Sequence, residues 1–278
     1  MAFSLKFRLQ FEGDQADLNR LPAHDGMVSL EGISWSFSLL ANYLATGKIK
    51  KSGAMSTAAM IYIEPAKKGS FVSDLIVHVS DPDSLFMTKA VGNFGATTLS
   101  AIFGTFVGYA LKSVTGQQDQ LTSQQRRWLS KFPRGDVEAM IDAIEASIKR
   151  AHTVIGEGAV TLNIKKSTAS LLTFDEETKN YVNANIPGLQ NTTKLVGVGA
   201  YDANSGNGRV FLHEVGKTVS FHVDKKQVSA TTRQAISKSL DRYVNELPSG
   251  IEVVCDEILA LDGRIKKLTI HKAKWMLP

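Results

Sequence analysis

The side chains able to perform catalysis are scattered along the chain and form no recognised catalytic motif. The sequence contains no Gly-x-Ser-x-Gly nucleophile turn, no phosphate loop ending in Gly-Lys-Ser/Thr and no His-Glu-x-x-His zinc motif. The segment 197–202 begins like a dinucleotide-binding fingerprint, but its third glycine is missing and a turn follows it. No two of the six histidines are four residues apart. The sequence therefore predicts that the protein is not an enzyme.

The histidines and the single cysteine give no metal site either. His213 and His222 lie on predicted neighbouring strands, where packing on the strand surface explains them better than metal binding. Cys255 is the one cysteine of the chain, which excludes an intramolecular disulfide and a cysteine-built zinc site. It falls in an apolar strand pattern that is typical of a buried thiol. We predict no cofactor and no metal.

Aromatic and basic residues late in the chain suit nucleic-acid binding. Beyond residue 188 the chain has 13 Lys and Arg against 9 Asp and Glu, a positive surplus that attracts phosphates or an anionic lipid surface. Stacking rings and a basic groove together hold single strands without sequence readout. The candidate residues are Tyr201, Arg209, Phe211, Lys217, Phe221, Lys225 and Lys226. Alternatively, Phe211 and Phe221 lie in a core and the lysines form a solvated rim.

An uncharged segment at residues 90–111 has the length of a membrane helix. About 20 such residues in a helix span a hydrocarbon core of about 30 Å. One face of this helix would be bulky, and the other would be small and partly polar, suited to close helix contact or to lining a pore. The small face consists of Asn93, Thr97, Ser100, Gly104 and Gly108. The alternative is a glycine-rich helix buried in a soluble core or in an oligomer interface.

The elements before and after this segment predict an α+β fold. Residues 1–88 form a strand (3–11), an apolar helix (25–44) and a hairpin (60–64 with 71–80, connected at 65–70). The apolar, membrane-inserting segment follows at 89–112. Residues 113–188 form a connecting region that packs with the N-terminal unit, with an amphipathic helix from Asp136 and two strands at 160–164 and 170–174.

Residues 189–278 predict a small barrel. Three strands (195–202, 209–213 and 218–223) are followed by a helix (231–245) and two further strands (251–261 and 264–275). This order is that of a five-stranded OB-like β-barrel with one helix, a fold that often binds oligonucleotides around its second and third strands. An SH3-like barrel and a plain five-stranded meander with a helix are alternatives. Fold alone does not establish the ligand.

Two stretches resemble a group of bacterial anti-phage proteins. They are Leu-Lys-Phe-Arg-Leu-Gln-Phe-Glu-Gly-Asp at 5–14 and Gly-Ala-Tyr-Asp-Ala-Asn-Ser-Gly-Asn-Gly-Arg-Val-Phe-Leu at 199–212, together with the apolar helix and the uncharged segment between them. The chain most resembles the membrane effector of the Hailong defence system. The resemblance implies a membrane-active segment that is silenced by a bound single-stranded DNA oligomer, which a partner nucleotidyltransferase makes. Loss of the oligomer would open an ion channel.

Two functional hypotheses follow. In the first, the protein is an oligomeric, ligand-controlled membrane effector of antiviral defence at the cytoplasmic face of the inner membrane, or in the cytoplasm before activation. A single crossing would separate two halves of which neither looks exported, so the segment would be buried until release or would form a re-entrant hairpin broken near Gly95 or Gly104. In the second, the protein is a soluble oligonucleotide-binding protein, and residues 90–111 form a core or oligomer helix.

Overall fold

The structure, a computed structural model, describes residues 2–64, 71–92, 94–117, 120–133, 136–204, 206–224 and 226–276. The chain divides into two compact units. Unit 1 comprises Met1–Pro133 and Ala143–Asn183, and unit 2 comprises Arg134–Asp142 and Ala184–Pro278. The predicted connection at 65–70 lies outside the described residues.

Unit 1 is an α+β unit built on an antiparallel sheet. Its strands are β1 (Phe3–Glu12), β2 (Ala59–Ile63), β3 (Val72–Val79), β4 (Thr161–Lys166) and β5 (Ala169–Phe174). Its helices are α1 (Ala23–Thr46), α2 (Phe86–Val91), α3 (Ala96–Val114), α4 (Ser123–Leu129), α5 (Asp136–Ala151, of which the first part belongs to unit 2) and α6 (Glu176–Asn183). Short 3-10 helices occupy Asp14–Leu18 and Pro82–Ser84. The sequence missed α6, which lies in a polar stretch.

The sheet of unit 1 has one apolar and one polar face. Its strand order is β2-β3-β1-β4-β5, with β1 in the centre between β3 and β4. The alternation in β1 places Leu5, Phe7, Leu9 and Phe11 on the buried face, as the sequence predicted. The other face carries the charged side chains of β1, including Lys6 and Arg8, which contact Asp74 of β3.

The uncharged segment is not one continuous helix. It is divided between α2, which ends at Val91, and α3, which begins at Ala96. Gly92 has φ of 121°, a backbone conformation that favours glycine, and Gly95 precedes the first turn of α3. The predicted bulky face of α3 is buried in unit 1 and consists of Leu99, Ile102, Phe103, Phe106 and Ala110. Among the described residues, no helix is both long and apolar enough to cross a membrane.

Unit 2 contains a closed five-stranded mixed β-barrel. The short strand β6 (Ile186–Pro187) precedes β7 (Thr192–Tyr201), β8 (Asn207–Leu212), β9 (Lys217–His222), α7 (Ala230–Val244), β10 (Gly250–Leu259) and β11 (Ile265–Trp275). Neighbouring strands follow the order β11-β9-β8-β7-β10, and the pairing of β10 with β11 closes the barrel. The pairing of β9 with β11 is parallel, and the other pairs of the barrel are antiparallel. A five-stranded barrel with one helix fits the predicted architecture.

The core of the barrel explains why apolar residues alternate along its strands. Inward side chains alternate along β8 and β9, where Val210, Leu212, Val219 and Phe221 are buried. The helix α7 follows the third barrel strand and precedes the fourth, and its Ile236 is part of the same core. Each of these five strands pairs with a neighbour on both sides, so the barrel closes without a free edge strand.

Candidate nucleic-acid interface

The side chains between the buried positions of three neighbouring strands form an outward-facing surface. We call this surface the outer face and define it by Arg209, Phe211, Ser220, His222, Lys267 and Thr269, which lie on β8, β9 and β11. The strand register places Arg209 opposite Ser220 and Ser220 opposite Lys267. It also places His222 opposite Thr269. Residues directly opposite each other point to the same side of a sheet, so these side chains share one surface.

The three predicted rings differ in their positions. Phe211 is half-buried on the outer face, and its ring meets that of the exposed His213 edge to face at 5.3 Å. Phe221 is fully buried in the barrel core, so the prediction that its ring contacts a ligand is wrong. Tyr201 packs against this core with its ring stacked on Phe221 at 6.0 Å, and its hydroxyl is buried without a partner among the described residues. Phe211 is therefore the one of these three rings that lies on the outer face.

Arg209 is not free to bind a phosphate. Its Nη2 donates a hydrogen bond of 2.7 Å to Asp142 Oδ2, and its side chain is only 14% exposed. Its Nε and Nη1 are buried without partners among the described residues. Asp142 thus neutralises the cation that the sequence assigned to phosphate binding, and this correction removes Arg209 from the accessible cations.

Other lysines supply the positive charge. Lys226 is exposed in the connection between β9 and α7. Lys225 and the side chain of Lys217 lie outside the described residues. Lys267 was missed by sequence reasoning, because its place beside Ser220 depends on the parallel pairing of two strands that are distant in the sequence. The alternation of β11 could have indicated that Lys267 faces outward, because the apolar residue next to it, Leu268, is buried.

A shallow cavity of about 450 Å³ adjoins the outer face. Its lining includes His222, Thr269, His271, Lys272 and Asp224. The Nδ1 of His222 lies 3.0 Å from Asn207 Oδ1. The Nε2 of His271 lies 2.8 Å from Asp256 Oδ2, and the pKa of Asp256 is lowered, first by a backbone hydrogen bond from Asn191 and then by His271. The cavity offers hydrogen-bonding groups of both signs at the His222 end of the outer face, whereas Phe211 lies opposite Thr218, four residues away along β9.

One family covers most of the chain. Its model, described as a domain of unknown function (DUF7946), matches residues 7–183. The chain belongs to this family. The model of a second family of unknown function (DUF7947) matches residues 190–274, which contain the barrel strands. No curated protein and no solved structure matches the chain.

The predicted pore-lining residues of this DUF7946 member lie on or beside α3, apart from Asn93, which lies outside the described residues. Thr97 is exposed in the first turn, and the Ser100 carbonyl accepts a hydrogen bond of 2.7 Å from Lys166 Nζ. A Cβ at Gly104 would meet the Lys166 side chain, and one at Gly108 would meet Leu171. The small face is thus covered at Gly104 by a side chain of β4 and at Gly108 by a side chain of β5, and it is exposed at Thr97.

Within the described ranges, no group of three or more His, Cys, Asp or Glu side chains is placed to hold a metal ion.

Cys255 is buried in the barrel, and burial raises the pKa of its thiol to about 11. A thiol with a raised pKa is a poor nucleophile at neutral pH.

Proposed function

We propose that this protein binds single-stranded oligonucleotides on the outer face of an OB-like barrel. The observation that carries the proposal is the barrel topology. In space the strands follow the order β7-β8-β9-β11-β10. In chain order the third and fifth barrel strands, β9 and β11, pair in parallel, and the helix α7 lies between the third and fourth strands. This element order fits an OB-like barrel and supports the proposal, because OB barrels bind oligonucleotides across the face around their second and third strands.

The chemistry of the face supports a single-stranded ligand. Phe211 offers a ring on the second strand, and His222 on the third strand lies near the adjoining cavity. Lys267 lies opposite Ser220 on this face and Lys226 is exposed in the connection after β9, so both supply positive charge for the phosphates, whereas Arg209 is paired with Asp142. A ring and cations on one face bind bases and phosphates together without reading the sequence.

The test is fluorescence anisotropy with a labelled oligothymidylate. Phe211→Ala is expected to weaken binding about 5- to 150-fold, since stacking contributes about 1–3 kcal/mol per base. Lys267→Ala is expected to weaken binding and to reduce the slope of log affinity against log salt by about 0.7. Both side chains point away from the core, so both variants should fold.

The matched controls are Tyr243→Ala and Lys274→Ala. Tyr243 is an exposed ring on α7, and Lys274 lies on the same strand as Lys267 but is paired with Glu252 at 2.7 Å. Neither control should change the affinity or the salt slope. Absence of oligonucleotide binding by the wild-type protein, or equal loss of affinity in variants and controls, would contradict the proposal.

The membrane-effector role remains a prediction from the resemblance to the Hailong effector. It expects oligomers of this chain, a DNA oligomer made by a partner nucleotidyltransferase, and ion leakage from liposomes that the DNA suppresses. Leakage measured with and without the oligothymidylate tests this role. Suppressed leakage would favour a restrained channel, and binding without leakage in either condition would favour a binding protein in which α3 is a core helix.

A further inference from the structure

A second, separate pocket lies in unit 1, where β4 ends beside β1. The last residue of β4, Lys166, is opposite Phe7, whereas β1 continues as far as Phe3. The space beyond the end of β4 is a cavity of about 320 Å³. Among the described residues, its lining contains three cationic residues, Lys6, Arg8 and Lys166. Ser4, Ser100 and Ser167 line it as well.

Asp74 is the one carboxylate that opposes these three cations among the described residues of the lining. Asp74 is fully buried, with its Oδ2 2.8 Å from Lys6 Nζ and its Oδ1 accepting a hydrogen bond of 3.2 Å from Arg8 Nε. Glu64 also accepts from Lys6 Nζ at 2.9 Å, but it is not part of the lining. These hydrogen bonds, chiefly that to Asp74, raise the pKa of Lys6 to about 12. The lining therefore keeps an excess of positive charge, and Asp74 fixes two of the cations in position.

Two of the cations retain donors for which the described residues provide no acceptor. Lys166 Nζ donates one hydrogen bond, of 2.7 Å, to the Ser100 carbonyl, and it has no carboxylate partner among the described residues. Burial without such a partner lowers the pKa of Lys166. Arg8 donates through Nε, and its two Nη groups donate to no acceptor in the part of the chain that the structure describes. A partly desolvated cation gains most from an anion that also accepts hydrogen bonds.

We propose that this pocket binds the phosphate group of a small molecule, held by Lys166 and Arg8 and by the neighbouring serine hydroxyls. A tetrahedral oxyanion accepts several hydrogen bonds from different directions, which matches a guanidinium, an ammonium and hydroxyl groups around one cavity. The volume also leaves space beyond the phosphate itself, because ligand pockets for small molecules begin at about 300 Å³. This site is independent of the oligonucleotide site proposed in unit 2.

The test is calorimetric titration of the full-length protein with inorganic phosphate and, separately, with a nucleoside 5′-monophosphate. Lys166→Met and Arg8→Gln are each expected to weaken binding by about tenfold or more, as the loss of a charged hydrogen bond implies. The control is Lys165→Met. Lys165 is adjacent on the same strand and has the same charge, but its Nζ donates to Gln10 Oε1 at 2.8 Å, so this variant should bind normally. Melting curves establish that each variant is folded.

The outcomes distinguish free phosphate from a phosphate attached to a larger molecule. They also distinguish this pocket from the oligonucleotide site on the barrel. Tighter binding of the monophosphate than of phosphate would assign the remaining volume to the attached group, and equal binding would assign the pocket to free phosphate. The barrel variant Phe211→Ala should leave both titrations unchanged even where it abolishes oligonucleotide binding. The proposal fails if neither anion binds to the wild-type protein, or if folded Lys166→Met and Lys165→Met bind equally well.

Discussion

At the scale of single residues, His152 is a buried histidine whose ring is kept neutral. The residue is 1% exposed and its ring stacks on Phe174 at 4.3 Å. Its Nδ1 lies 2.8 Å from the Ile148 carbonyl, which can only accept, so Nδ1 carries the proton. Its Nε2 lies 3.1 Å from Thr178 Oγ1. Burial lowers the pKa of His152 to about 4, because a charged ring would lose its hydration there.

This pKa predicts that unit 1 loses stability in mild acid. The unfolded ring, with a pKa of about 6.5, binds a proton more readily than the folded ring. The contribution is therefore complete above about pH 6.5 and is lost as the pH falls towards 4, by up to about 3 kcal/mol. Urea unfolding followed by Trp35 and Trp128 fluorescence measures it. His152→Gln should flatten the pH dependence and the exposed His24→Gln should not, and equal slopes in both would refute the prediction.

At the scale of elements, two helical glycines lie against different kinds of neighbouring atoms. A Cβ at Gly32 of α1 would lie 2.5 Å from the Ala151 backbone nitrogen and against the Ser147 carbonyl, which are both backbone atoms of α5. A Cβ at Gly104 of α3 would lie 2.5 Å from Lys166 Nζ, the far end of a flexible side chain. The first contact fixes the distance between two helices, and the second can be relieved by a rotamer change.

We therefore expect a glycine-to-alanine substitution to lower the stability at Gly32 and to leave it nearly unchanged at Gly104. Gly32→Ala should lower the free energy of unfolding by about 1–3 kcal/mol, because two helix backbones must separate. Gly104→Ala should be close to neutral, since the gain of about 1 kcal/mol in helix propensity offsets the displaced lysine. It should also weaken phosphate binding by moving Lys166. Urea unfolding and the phosphate titration measure the pair, and equal destabilisation by both substitutions would contradict the argument.

Elements with a regular pattern could be predicted, whereas interruptions and long-range pairings could not. The alternation of β1 predicted both the strand and its buried face. The absence of charge in 90–111 predicted apolar helix, and a break near Gly95 was expected only for a re-entrant membrane hairpin, whereas the observed break lies next to Gly95 in a helix pair buried in unit 1 and includes the positive φ of Gly92. Alternation also showed that Phe211 faces opposite to Val210, but it could not show which of them points inward. That choice, and the position of Lys267 beside β9, are decided by barrel closure between strands far apart in sequence.

At the scale of the whole molecule, the barrel should fold without unit 1. Its five strands close on themselves around their own core, and a separate family model covers residues 190–274. The fragment 184–278 should therefore unfold cooperatively, with Trp275 as its fluorescent reporter. Unfolded behaviour of this fragment would contradict the independence of the barrel.

The fragment lacks the ion pair between Arg209 and Asp142, and a substitution of Arg209 measures its contribution. In the full chain, Arg209→Gln leaves Asp142 without this partner, and we expect it to lower the stability of unit 2 by about 1–3 kcal/mol. In the fragment, Asp142 is absent and water reaches the guanidinium, so the same substitution should have little effect. The loss of stability caused by Arg209→Gln is measured by Trp275 fluorescence in the full chain and in the fragment. The difference between these two losses isolates the contribution of the ion pair. Equal effects in both contexts would show that Arg209 stabilises the barrel through contacts other than Asp142, and Asp142→Asn should then leave the full chain unchanged.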